Sequence, residues 1–197
     1  MARIKTLTLG DKVSLLPHPF LEEVDWLLVP GHTLLCDAIT KHEQEWMAKH
    51  CDPIRDPEEY AVELGFIHSE TDNLVQFANS MTLVSLVTRL QHAIRVFAKD
   101  VSNNPVERIG LVKNLETLNK QVGAGPVSIA FFGGLETVRD SIVHADSKAE
   151  WMRGKTKRSV PIKYRDLSLE WVHVTEAHIQ EAVDNSIKQV KWYDDHF

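Results

Sequence analysis

Apolar residues recur along most of this chain at the three-and-four spacing of amphipathic helices, and one short passage alternates as a strand does. Residues 81 to 98 are the clearest helix. Leu83, Val87, Leu90, Ile94 and Phe97 form one stripe, while Ser85, Thr88, Arg89, Gln91, His92 and Arg95 fall mostly opposite. Upstream, Asp56-Pro57-Glu58-Glu59 combines an N-cap, a proline at the first helical position and a reciprocal glutamate. This predicts a helix from Pro57 toward Leu64 that resumes near Thr71. Asn104-Pro105-Val106-Glu107 repeats the signal and opens a helix on Ile109, Val112, Leu115 and Leu118, ended by Gly123. Beyond the Gly125-Pro126 break, Val127, Phe131, Leu135, Val138 and Ile142 form another stripe. Gly133-Gly134 inside it marks an interruption or a close helix crossing. Thr175 is the predicted N-cap of a last helix carrying Ile179, Val183, Ile187 and Val190. Near the start, Phe20, Val24 and Leu27 precede a Pro30-Gly31 break, and Leu35, Ile39, His42 and Trp46 follow at helical spacing. Leu167-Ser-Leu169-Glu-Trp171 is the strand-like passage, expected to pair with Val160 to Tyr164. The expected fold is mainly α, a helical bundle with a small β-hairpin insertion before the last helix.

Length and composition agree with one compact domain: 197 residues, 43% hydrophobic and 25% charged, can bury a real core. Cys36 and Cys51 have no CxxC around them and read as reduced thiols of a cytoplasmic protein, not as a disulfide framework or zinc site. No apolar run is long enough to span a bilayer, so no membrane partner is expected. Met-Ala-Arg-Ile-Lys is followed by no signal-type apolar region, so export is not expected. The net charge of −6 argues against nucleic acid until its distribution is considered. Residues 151 to 165 carry Arg153, Lys155, Lys157, Arg158, Lys163 and Arg165 with no acidic residue, leaving 16 basic against 28 acidic residues elsewhere. Such a stretch is a solvated basic loop or a contact for a polyanion.

Familiar signatures fail. Gly123-Ala-Gly125-Pro-Val-Ser128 lacks the last glycine of a dinucleotide loop, and neither GxxxxGK[ST] nor GxSxG occurs. His42-Glu43-Gln44-Glu45-Trp46 places tryptophan where a zincin helix needs its second histidine. His173 and His178 read as surface or capping histidines, and Asp194-Asp195-His196 as a frayed, solvated tail. No metal site and no cofactor are expected.

One segment stands apart: Arg139-Asp140-Ser-Ile-Val-His144, followed by Ala145-Asp146. Chance alone supplies roughly 0.5 Arg-x4-His pairs in a chain with nine arginines and ten histidines, so context must discriminate. Here the pair lies at the polar margin of an apolar stripe, with a carboxylate directly after the arginine. Small and polar residues then predict that the helix ends. This context resembles the HEPN superfamily, whose helical domains carry an Arg-polar-x3-His motif. The resemblance extends over residues 57 to 190 as a succession of helices. The first fifty residues form an N-terminal extension, and the basic insertion of about 151 to 174 has no clear counterpart in the family core. The whole chain, 1–197, is then a single HEPN-like domain. The resemblance implies a metal-independent endoribonuclease acting on RNA, assembled as a homodimer, as a toxin or antiviral effector with an antitoxin or regulatory partner. Some members of the superfamily have lost catalysis and act as binding or scaffold domains.

The residue chemistry suits RNA cleavage. A histidine titrating near neutrality exchanges protons with a 2′-hydroxyl, and a guanidinium stabilises phosphorane oxygens. Arg139 is expected to hold phosphate, His144 to transfer protons, and Asp140, one helical turn before His144, to orient the imidazole. Arg153, Lys155, Lys157 and Arg158 are the candidate RNA contacts. Alternatives stay open. Arg139 and Asp140 suit a surface ion pair, with His144 a dipole-favoured histidine at a helix end. The chain also suits a non-catalytic module that binds a nucleotide or partner protein, or a structural dimerisation protein.

Overall fold

The structure, a computed structural model, describes residues 18–50, 57–102 and 110–197. Cys51, Asp56, the Asn104-Pro105 start signal and Ile109 lie outside these residues. The chain is mainly α-helical, with one two-stranded hairpin among the described residues, before the last helix. No helix among the described residues is long and apolar enough to cross a membrane.

Helix α1 (His18–Glu23) passes through a π-helical turn (Val24–Leu28) into α2 (Val29–His50). The expected break at Pro30-Gly31 is therefore absent. Proline lacks an N–H and clashes with the carbonyl one turn back. The widened turn just before it, closed by the Val29 N–H on the Val24 carbonyl, absorbs that defect without ending the helix. Helix α3 (Pro57–Ser102) is likewise continuous, without the predicted gap between Leu64 and Thr71. No proline interrupts 65 to 70, and Ile67 and Thr71 are buried there.

Helix α2 runs antiparallel to the first half of α3, as Arg89 pairs with Glu23, His32 with Asn79 and Glu43 with His68 in succession. The seam between them holds a small cluster of Cys36, Ile39 and Ala78. The predicted α2 stripe is met in part: Ile39 is buried and Trp46 half-buried, whereas Leu35 and His42 are exposed and His32 and Cys36 are buried in their place. Leu27 is also exposed.

The main core forms around the second half of α3, where Leu83, Val87, Leu90, Ile94 and Phe97 are all buried as predicted. Helix α4 (Leu111–Val122) adds Leu111, Leu115 and Leu118 and ends at Gly123, whose φ of 94° suits glycine. Helix α5 (Ile129–His144) is capped by the Ser128 hydroxyl and adds Phe132, Leu135 and Val138. Its two glycines mark close approach: a Cβ at Gly133 would touch Val112, and one at Gly134 would sit 3.1 Å from Pro161. Helix α6 (Glu176–His196) closes the bundle with Ile179, Val183, Ile187 and Val190. Its last residues are helical rather than frayed, with Phe197 edge-on to Phe97 and His196 stacked on Trp192, while Asp195 and His196 are exposed as expected of a solvated end.

The hairpin consists of β1 (Glu150–Arg153) and β2 (Thr156–Ser159), not of the pair predicted around Leu169. Gly154, at φ 63°, takes the first central position of its two-residue turn. Residues Ile162–Tyr164 form a 3-10 turn, and Leu169 has φ 62° with its side chain exposed. Short alternating runs do not identify their own partner. Here the left-handed residues Asp146 and Ser147 reverse the chain immediately after α5 and lead directly into β1.

Candidate active site

Helix α5 buries Phe132, Leu135 and Val138, so Arg139 falls on the margin of the buried stripe and His144 comes round to solvent. The end of the helix is fixed by Ser141, which is wholly buried. Its carbonyl accepts the Ala145 and Ser147 amides, and its hydroxyl donates to the Lys148 carbonyl at 2.6 Å. His144 is therefore the exposed last residue of α5. No hydrogen bond or ion pair joins it to another described residue.

Arg139 is held on several sides. Its Nε and Nη2 donate to Asp140 Oδ1 at 3.1 and 2.6 Å, its Nη1 donates to the Gln91 side-chain carbonyl, and Glu136 lies 3.9 Å from Nη2. Glu136 also accepts the Leu111 amide, tying the start of α4 to the same group. The second Asp140 oxygen accepts from Arg153 Nη1 at 3.0 Å. The structure thus brings Arg139, Asp140 and Arg153 together on one carboxylate. It does not place Asp140 against His144: both carboxylate oxygens serve arginines, and no hydrogen bond to the imidazole forms. The aspartate is better described as a bridge from α5 to the hairpin than as an orienter of the histidine.

Strand alternation divides the four candidate RNA contacts. Cross-strand pairs Trp151–Arg158 and Arg153–Thr156 share the face that reaches α5 through Arg153, while Met152–Lys157 takes the other. Lys157 pairs with Glu150 at 2.5 Å, which holds that carboxyl below its ordinary range, first through this hydrogen bond. Lys155 occupies the turn, and neither it nor Arg158 has a carboxylate partner among the described residues. The four candidate RNA contacts are therefore one bridged cation, one paired cation and two without such partners, while Lys163 and Arg165 pair with Glu181 and Glu150.

Gln91 and Glu136 are the site residues that sequence reasoning missed. Glu136 carries a signal, lying one turn before Arg139. Gln91 carries none, because 48 positions separate it from Arg139. The two other histidines resolve as predicted: His173 is exposed, and His178 closes a capping box by accepting the Thr175 amide on Nδ1. Among the described residues, no cluster of three His, Cys, Asp or Glu side chains is placed to hold a metal. Compared with protein families, curated proteins and solved structures, the chain has no match.

Proposed function

We propose that this protein is a metal-independent endoribonuclease of the HEPN type, acting in the cytoplasm as a toxin or antiviral effector. The carrying observation is the state of the two motif residues: His144 ends α5 exposed and without a partner among the described residues, while Arg139 on the same helix is fixed by Gln91, Asp140 and Glu136. An imidazole open to solvent can abstract the 2′-hydroxyl proton or supply one to the leaving oxygen. Attack of that oxygen on the adjacent phosphorus breaks the bond to the 5′-oxygen and leaves a 2′,3′-cyclic phosphate. A guanidinium held in place stabilises the dianionic phosphorane without reorganising. Asp140 positions Arg139 and Arg153, and Arg158, on the same hairpin face as Arg153, extends the cationic surface.

One Arg139–His144 pair supplies a single fork and a single proton-transfer group. The reading therefore includes a homodimer that brings two pairs into one cleft. Val138 and Ile142, one candidate neighbourhood for that contact, belong to the monomer core, so Val143 and His144 form the available margin. A second reading, a non-catalytic module binding a nucleotide or a partner protein, is favoured by the engagement of Arg139 with Asp140 and Gln91.

Incubating purified protein with single-stranded RNA in EDTA separates these readings. The enzyme yields cyclic phosphate ends, and His144→Ala lowers the rate by about a hundredfold or more with an unchanged helical circular-dichroism spectrum. Activity that disappears in chelator and returns with Mg²⁺, or full activity in His144→Ala, overturns the mechanism. Nucleotide binding without turnover supports the module.

A further inference from the structure

Among the described residues, the first half of α3 and its partner α2 leave a face that the bundle does not cover. The α2–α3 seam buries Cys36, Ile39 and Ala78, and one position round the helices stand Leu35, Leu74 and Phe77. At 3.6 residues per turn these fall on the same outward side, together with Phe66, Met81 and half-buried Trp46. Phe77 is 62% exposed and Phe66 is 59% exposed. Side chains of this size and exposure present roughly 500 Å² of apolar surface, well beyond isolated surface hydrophobes.

The charge beside this face identifies the chemistry that would cover it. Residues 57 to 88 contain no lysine or arginine but five carboxylates: Glu58, Glu59, Glu63, Glu70 and Asp72. Glu63 and Glu70 share the side of α3 that carries Phe66 and Phe77. A second copy seated there would face acid with acid, and the patch falls short of the about 800 Å² per partner of a standard interface. RNA and anionic lipid are excluded by the same repulsion. We infer that this face docks a basic amphipathic helix of a partner protein, whose apolar stripe lies over Phe66, Leu74 and Phe77 and whose lysines or arginines meet Glu63 and Glu70. The inference does not rest on the ribonuclease reading, because the surface lies on the opposite side of α3 from its buried stripe.

The test uses the full-length chain and three labelled synthetic peptides of about 18 residues, or five helical turns. They are a leucine/lysine amphipathic helix, its leucine/glutamate counterpart and polylysine, read by fluorescence anisotropy. The leucine/lysine helix is expected to bind at least about tenfold tighter than either control. Phe77→Ser with Leu74→Ser removes that preference while the circular-dichroism spectrum is retained, and Glu63→Lys with Glu70→Lys shifts it toward the leucine/glutamate helix. Equal binding of all three peptides, or binding unchanged in both variants, overturns the inference. So does sedimentation equilibrium in which the wild-type chain is a dimer that Phe77→Ser with Leu74→Ser dissolves, since a second copy then covers the face. RNA cleavage is expected to be the same in all these variants, so failure here is distinct from failure of the nuclease reading.

Discussion

The bundle and the α2–α3 arm are built from similar helices but solve burial differently. In the bundle, the second half of α3 meets α4, α5 and α6, and every residue of its predicted stripe disappears into one core. In the arm, α2 is the described helix that packs along α3, so only a narrow seam is covered and large apolar residues remain outside. A helix presents one wide apolar stripe, and a single neighbour covers only part of it. The contrast extends to charge: the arm half of α3 is purely acidic, and the hairpin beside the motif is basic. Polar contacts join the two regions. His32 donates to Asn79, whose amide donates to the Val174 carbonyl, and Gln76 bonds both Val172 and Val174.

Substitutions at matched positions test this division. Phe132→Ala is expected to cost about 3–5 kcal/mol in urea denaturation, because it opens a cavity where many elements meet. Ile39→Ala in the arm is expected at the low end, about 2 kcal/mol, since the small seam can collapse. Equal losses would show that the arm is packed as tightly as the bundle.

The charge contrast predicts a smaller effect on RNA. Neutralising Lys155, Lys157 and Arg158 to glutamine should flatten the dependence of log affinity on log salt by about 0.7 per lost phosphate contact. Neutralising Glu63, Glu70 and Asp72 should leave that slope unchanged. Of the single changes, Arg158→Gln should matter more than Lys157→Gln, whose charge already pairs with Glu150. An unchanged slope in the triple variant returns the hairpin to a solvated loop.

The smallest effect concerns pH. Burial first, then the Lys163 charge, holds the His178 imidazole below the usual histidine range, with Glu181 opposing. Its neutral Nδ1 accepts the Thr175 amide in the capping box. As pH falls, the unfolded chain takes up this proton before the folded one does. The stability contribution is therefore complete above the ordinary histidine pKa of about 6.5 and is lost as pH falls toward the lowered folded value. Urea midpoints at several pH values between neutrality and mild acid should decline more steeply for wild type than for His178→Gln. Parallel declines would place the pH dependence elsewhere.

Local signals that name their own outcome were legible in the sequence. The stripe from Leu83 to Phe97, the cap at Thr175, the stop at Gly123 and the helix end after His144 depend on neighbours within a turn or two, and periodicity and capping chemistry report those. That Arg139 and His144 share one helix was legible for the same reason. The π-helical turn before Pro30 was not, because a proline signals a defect without saying whether the helix breaks or widens. Nor was the side of α2 that is buried: Leu35 and Cys36 both sit on helical repeats, and only the position of α3 selects the second. The hairpin partners were misassigned because the reversal at Asp146 and Ser147, not strand propensity, delivers residue 150 into pairing. Asp140 shows the limit most plainly. Spacing placed it one turn from His144, but tertiary contacts brought Arg153 to one oxygen and left the other to Arg139. The pattern along a chain determines which faces of its helices can be buried or can carry chemistry; which neighbour meets each face depends on contacts across 13 and 48 residues, which no local spacing encodes.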